Sequence, residues 1–324
     1  MPSRLKDYLI ALSAGLFLSA NAFAMQGGSP DYTLLSRSAN ESMPVAFEDS
    51  QRQWLQTRRE LLLGASAPDY PPFDMTVSGQ DYEGLTADYA GILGEATGMS
   101  IRIKRFPSRE AAIRALVDGQ IDLLGTANGY EAGNANLALS EPYANDQPVL
   151  VAREDESRTL SEGLAGLRLS MVYHYLPLHE VKALYPKALI TCYPSYQNAI
   201  NAVAFDQADV FLGDTISTHY MINKGYLNNV RMANFGKQEA HGFSFAVRRD
   251  NPQLLSIIDT VLKAVPRSER ENIAKRWSAG SDLLLTDQKL QLTQREEAWR
   301  NRHPVVSVVV NEAYAPLTFF DGDG

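Results

Sequence analysis

Between residues 61 and 277 short apolar runs alternate with longer amphipathic ones, and they do so in two separate series. In the first, 61–65 reads as a buried strand, 85–98 as a helix ended by Gly98, and 101–104 as a strand. A helix over 108–118, stopped by Gly119, and a strand over 121–124 complete it. In the second, strands are predicted at 167–171, 189–192, 210–212 and 230–232, with helices near 177–184, 196–205 and 217–223. Each alternation implies a sheet covered by helices, so the chain is expected to build two α/β lobes of like construction. The short apolar runs 148–152 and 243–247 stand between the series, where the chain must pass from one lobe to the other. They are predicted to be the crossing strands. Helices at 252–264 and 269–277 would then return to the first lobe, giving lobe 1 as about 51–150 and 245–280 and lobe 2 as about 151–244.

Composition narrows what such a body can meet. With 324 residues, 45% of them hydrophobic, each lobe can bury an ordinary core. A formal charge of −8, from 38 acidic and 30 basic residues spread along the chain, leaves no basic face for nucleic acid. The first 24 residues carry Arg4 and Lys6, an apolar run over 8–20, and Ala22-Phe23-Ala24, an A-x-A cleavage pattern. That run falls short of the ~20 apolar residues that span a bilayer, so a cleaved signal peptide is expected. Residues 25–50 are polar and read as a flexible lead-in, and 51–60 as a short helix carrying Trp54 and Leu55. Cys192, the single cysteine, allows no internal disulfide and is expected to be a buried small hydrophobe.

One repeat has the length of a whole domain. Trp54, Tyr70-Pro71-Pro72-Phe73 and Asp81-Tyr82-Glu83-Gly84 recur as Trp299, Tyr314-Ala315-Pro316-Leu317 and Asp321-Gly322-Asp323-Gly324, about 245 residues later. The second copy, 304–324, ends after one strand and one loop, which cannot bury a core, and 281–303 reads as a linker. The sequence is therefore expected to be the front of a longer tandem protein.

From Leu61 to Trp277 the chain resembles solute-binding proteins of family 3, the polar amino-acid type. The resemblance rests on Tyr70-Pro71-Pro72-Phe73, Glu83-Gly84-Leu85-Thr86-Ala87-Asp88, Asp118-Gly119-Gln120-Ile121-Asp122-Leu123, Leu139-Ser140-Glu141-Pro142-Tyr143, Asp209-Val210-Phe211-Leu212-Gly213-Asp214 and Phe245-Ala246-Val247-Arg248, in that order. The wording of residues 82–89, the strand end Leu124-Gly125-Thr126-Ala127-Asn128 and the second copy after Trp299 look more like the BvgS-type hybrid sensor histidine kinases. What the resemblance implies is an α/β, two-lobed periplasmic-binding-protein type II (Venus flytrap) fold with two crossing strands at the hinge. It also implies a second flytrap domain in the full-length chain and an output through a membrane helix and a kinase.

Ligands in open α/β sheets bind beyond the carboxyl ends of the strands. Here those loops hold Tyr70 and Phe73, then Thr126, Asn128 and Tyr130, then Tyr173, His174 and Tyr175, then Asp214. Aromatic walls, hydroxyl and amide groups and one carboxylate suit a small polar solute. Asp88, in the family stretch, joins the candidate ligand-binding set. A plainer role for Asp214 is to cap the following helix. In the family's amino-acid binders an arginine grips the ligand carboxylate; the matching position here is Gly133, so a free amino acid is in doubt, and Arg105 and Arg109 are the nearest basic candidates. None of the five histidines, His174, His179, His219, His241 and His303, forms a metal or catalytic motif, and neither G-x-S-x-G nor a phosphate loop occurs. No catalytic residue, metal site or cofactor is expected.

These readings lead to a periplasmic small-solute sensing domain, tethered to the inner membrane in the full-length protein. A free binding protein of a polar amino-acid ABC transporter and the binding domain of a murein lytic transglycosylase are the alternatives. The expected partners are a small polar solute, the second flytrap domain and a second copy of the chain, and not nucleic acid.

Overall fold

The computed structural model describes residues 32–38, 43–158, 160, 163–225, 227–237 and 242–279, with 299, 302, 313–314 and 318–319 beyond them. The segment read as a signal peptide, most of the linker and most of the second copy lie outside the described residues. The chain divides into two units, Met1–Leu285 and Thr286–Gly324.

In the first unit the chain runs through β1 (Thr33–Leu34), α1 (Asp49–Thr57), β2 (Glu60–Ser66), β3 (Met75–Val77), β4 (Asp81–Glu83), α2 (Leu85–Thr97), β5 (Ser100–Phe106), α3 (Arg109–Val117), β6 (Leu123–Ala127), α4 (Gly129–Ala132) and β7 (Leu137–Leu139). It then enters the second lobe with β8 (Pro148–Arg153), β9 (Arg168–Val172), α5 (Leu178–Leu184), β10 (Leu189–Tyr193), α6 (Tyr196–Ala204), β11 (Val210–Asp214), α7 (Thr215–Lys224) and β12 (Val230–Phe235). Finally β13 (Ser244–Arg248), α8 (Pro252–Ala264) and α9 (Arg267–Trp277) return to the first lobe.

Lobe 1 holds a sheet in the order β5-β2-β6-β13-β7, and lobe 2 one in the order β10-β9-β11-β8-β12. In each, the first three strands are parallel and the crossing strand lies antiparallel to them. Apolar residues on both faces explain this: Leu61, Leu63, Leu123 and Leu124 in one sheet and Leu169, Met171, Phe211 and Leu212 in the other are fully buried. Each such side chain contributes about 1.5–3 kcal/mol over its exposed state. Helix ends follow their punctuation. Ser108 accepts from the amide of Ala111, Ser195 from that of Asn198, and Gly98 closes α2 in the left-handed conformation.

One local expectation is refined and two are corrected. The runs at 148–152 and 243–247 lie at the crossing as expected, β8 entering the sheet of lobe 2 and β13 that of lobe 1. At the join, the amide of Phe243, the first residue of the second run, donates to the carbonyl of Ala144 at 2.7 Å. The strands were needed inside the sheets because their apolar side chains could be covered there. The helix expected over 51–60 ends at Thr57, and Glu60 already pairs with Ser100 in the sheet. Cys192 is exposed and not buried, because β10 is an edge strand whose outer face lacks cover; Leu189 beside it is 62% exposed.

In the second unit, Ala313–Tyr314 pairs antiparallel with Thr318–Phe319, setting Tyr314 opposite Thr318. In the first unit Tyr70 bridges Asp74, also antiparallel and four residues on. The repeated tyrosines thus begin turns of the same backbone pattern. Among the described residues no helix is long and apolar enough to cross a membrane, and no group of three or more His, Cys, Asp or Glu could hold a metal ion.

Candidate functional site

The parallel strands of the two sheets end facing each other, and the loops after β2 and β11 supply the central contact. After β2 the chain turns tightly: the carbonyl of Tyr70 accepts from the amides of Phe73 and Asp74. The turn rests on the start of α2, where the amides of Leu85 and Thr86 donate to the carbonyls of Pro72 and Phe73. Gly84, at φ 134, makes that approach feasible, since a Cβ there would run into the Phe73 carbonyl. Held in this way, the Tyr70 hydroxyl crosses the cleft and donates to Oδ2 of Asp214 at 2.9 Å. Both residues are buried.

Asp214 performs the capping role as well as this one. Its Oδ1 accepts from the amide of Ser217 at 2.6 Å, capping α7, while Oδ2 meets Tyr70. Burial raises its carboxyl to about 6. Tyr196 donates to the Asp214 carbonyl at 3.0 Å. Around Tyr70 stand His174, Tyr196, Phe73 and Phe243, with ring centroids 5.4, 5.3, 6.1 and 6.1 Å away. Phe73 is wholly buried behind Tyr70 and packs on Phe243 of the crossing segment at 4.0 Å.

A second set of contacts lies nearer the rim. The Tyr173 hydroxyl of lobe 2 accepts from the amide of Arg109 at 3.1 Å and donates to Glu110 at 3.0 Å, both at the start of α3. Tyr130 meets Tyr173 edge-on at 6.3 Å. Asn128 Nδ2 donates to the carbonyl of His174 at 3.4 Å, and Tyr220 donates to the Met75 sulfur at 3.5 Å. His174 is 6% exposed; burial, and then the charge of Arg109, hold its imidazole down near 3, so it stays neutral.

Arg109 does not reach into the cleft as a free cation. Its Nε is 2.7 Å from Glu131, and its Nη2 donates to the carbonyls of Gly125 and Thr126 at 2.9 and 3.1 Å, so its charge is matched within lobe 1. Glu131 is also the capping-box partner of Asn128 at the start of α4. These bonds hold Thr126 in the left-handed region, at φ 54, which a β-branched residue rarely adopts. The Thr126 amide donates to Tyr143, and its hydroxyl meets that of Thr86 at 2.8 Å. Arg105 is paired with Asp69 at 2.5 Å.

Of the nine residues singled out in the sequence, the structure gathers Tyr70, Phe73, Asn128, Tyr130, Tyr173, His174 and Asp214 along the cleft and puts Thr126 at its base in lobe 1. Asp88 lies elsewhere. It is wholly buried in the first turn of α2, where Oδ2 accepts from Arg276 Nη1 at 2.5 Å and Trp277 Nε1 at 2.8 Å, and Oδ1 from the amide of Arg37. The helical spacing that placed it beside Thr86 also turned it away from the cleft. Sequence reasoning missed Asp146. This residue is 5% exposed, accepts from Tyr175 at 2.7 Å, and lies two positions before Pro148, the register partner of Asp214. An acidic residue just before an apolar strand was the available signal.

The profile of bacterial extracellular solute-binding proteins, family 3, matches residues 62–280. The virulence sensor protein BvgS of Bordetella parapertussis is 41% identical over 316 residues, covering 97% of this chain and 25% of that protein. The chain therefore spans about a quarter of the length of this curated relative. The crystal structure of the B. pertussis BvgS periplasmic domain superposes with a TM-score of 0.72 at 41% identity, over 91% of this chain and 57% of that one. The arginine-binding periplasmic protein of Mannheimia haemolytica is 24% identical over 217 residues, 66% of this chain and 89% of that protein.

Proposed function

This chain belongs to the bacterial extracellular solute-binding proteins of family 3, and on that premise we propose that it is the solute-sensing front of a membrane-tethered two-component sensor kinase. The observation that carries the reading is the direct bond between lobes, Tyr70 to Asp214, because it makes the cleft a two-state element. A solute that binds better to one lobe arrangement shifts the balance between them, and only by its difference in affinity. Lobe motion about two crossing segments is a hinge motion, and β13 leads from the hinge into α8 and α9, the last described elements of the first unit.

Two facts support a sensor over a free transport protein. Similarity to BvgS extends over nearly the whole chain, and the Mannheimia relative, almost complete in its alignment, accounts for only two thirds of it. Periplasmic placement, tethering to the inner membrane and a kinase output belong to this proposal. The site residues proposed for the solute are Tyr70, Phe73, Thr126, Asn128, Tyr130, Tyr173, His174 and Asp214.

The test is made in the full-length protein, with its transcriptional output measured in cells. Tyr70→Phe and Asp214→Asn, each removing one side of the interlobe bond, are expected to change basal output several-fold without changing protein level. Output identical to the parent from both variants would remove the cleft from the signalling path.

A further inference from the structure

Two buried carboxyl groups share the cleft, and neither has a counter-cation among the described residues. Asp214 is fully buried and Asp146 is 5% exposed. The antiparallel pairing of β8 and β11 sets Asp214 opposite Pro148, and the amide of Thr215 donates to the carbonyl of Gln147, so the chain brings Asp146 alongside the start of α7. Neither carboxylate forms an ion pair with a described residue. The two arginines considered for the cleft are engaged elsewhere, Arg109 with Glu131 and two carbonyls and Arg105 with Asp69.

The hydrogen bonding of the pair is also incomplete. Asp214 uses one oxygen for the Ser217 amide and the other for Tyr70. Asp146 uses Oδ2 for the Tyr175 hydroxyl and is also favoured by the neighbouring Gln147 amide, while its Oδ1 makes no close hydrogen bond among the described residues. A buried acceptor without a donor is unfavourable, more so when it belongs to a carboxylate. Tyr70, Tyr175 and Tyr196 direct their hydroxyls at the two residues, and His174 packs against the Tyr70 ring.

We propose that the cleft takes a small organic cation without a carboxylate, an amine or guanidine whose charged head is shared between Asp214 and the free oxygen of Asp146. The inference rests on the solute-sensing reading above and gives it a ligand class. An ammonium brings up to three N–H donors and one positive charge to a site that has acceptors and negative charge in excess. A free amino acid would bring the same head but also a carboxylate, for which the described residues of the cleft offer no unpaired basic group. The two acids also disfavour each other's ionisation: burial and then the charge of Asp214 push the Asp146 carboxyl well above the ordinary range. Entry of a cation would therefore expel a proton.

Matched pairs of ligands test this on the whole exported chain. Agmatine is arginine without its carboxylate, and 1,5-diaminopentane is lysine without it. Calorimetry is expected to show each decarboxylated member binding at least about tenfold more tightly than its amino acid, with proton release visible as a dependence of the heat on buffer. Asp146→Asn should weaken agmatine by at least about tenfold and abolish the proton release. Should that variant fail to fold, the ligand pairs on the unaltered chain still decide. Arginine or lysine binding as tightly as its decarboxylated partner, or agmatine binding unchanged in Asp146→Asn, would overturn the inference while leaving the cleft a solute site. Silence toward both pairs, alongside binding of an anionic or neutral solute, would do the same. Silence toward every class of solute would instead count against the sensing reading as a whole.

Discussion

At the scale of single residues, the cleft is held by groups whose burial works against their charge. Asp214 sits near 6, above the ordinary 3.8, because burial disfavours its carboxylate. For such a raised acid, the stability gained by keeping it neutral is full below about pH 4 and is lost as pH rises through about 6. His174 runs the opposite way. Its imidazole is depressed from 6.5 to about 3, so its contribution is full above pH 6.5 and is lost as pH falls toward 3. The two effects oppose each other in the parent protein, and single variants separate them. The stability of the parent relative to Asp214→Asn is expected to fall between about pH 4 and 6.5, and that relative to His174→Phe to rise over the same interval. Urea unfolding at a series of pH values measures both; differences that stay flat with pH would show that these groups are not held as described.

At the scale of elements, Asp88 has a clearer purpose than the one its sequence context suggested. It joins three pieces: the segment through Arg37, the first turn of α2, and the end of α9 through Arg276 and Trp277. The Arg37 guanidinium pairs with Glu83 and lies 5.6 Å over the Trp277 ring, closing the junction. Breaking a buried charged contact of this kind leaves the remaining partner desolvated and costs about 3 kcal/mol or more. Asp88→Ala is expected to release α9 from lobe 1 while the sheet stays intact. Hydrogen exchange should then accelerate over Arg267–Trp277 and remain slow over Glu60–Ser66 and Leu123–Ala127. Uniform acceleration would mean that the whole lobe depends on this junction.

At the scale of the whole first unit, hydrogen bonds between lobes among the described residues include Tyr70 to Asp214, the amide of Arg109 to Tyr173, Tyr173 to Glu110, Asn128 to the His174 carbonyl, Tyr220 to Met75, and Asn223 to the Ala279 carbonyl. A hydrogen bond to a charged partner contributes about 1.5–3 kcal/mol, so each tyrosine hydroxyl shifts a two-state balance by tenfold or more. Tyr70→Phe and Tyr173→Phe are each expected to move the population toward open lobes, and the double variant further. Small-angle X-ray scattering reads this as a stepwise rise in radius of gyration over the parent. An unchanged profile in the double variant would show that the crossing segments, and not the cleft contacts, set the angle.

The amino-acid sequence by itself determined the two sheets, most helices and the loops that carry the site. Those features follow from local causes: apolar periodicity, Ser, Asn and Asp caps, glycine stops, and strand ends that direct their following loops toward the cleft. Tyr70, Tyr173, His174 and Asp214 were legible for that reason, since each ends a buried strand or lies within a few residues of its end. What the tertiary structure alone decided depends on packing between segments distant in the chain. Asp88 pairs with residues 188 and 189 positions away, so nothing local distinguished a cleft acid from a junction acid. Arg109 is neutralised by Glu131 and two carbonyls of a neighbouring loop, a match visible only once α3 and α4 are packed. Cys192 was expected inside because its strand is apolar, but its place at a sheet edge left it exposed. Asp146 became part of the site through strand register, which sets it beside a carboxylate 68 positions later in the chain and leaves one of its oxygens without a donor.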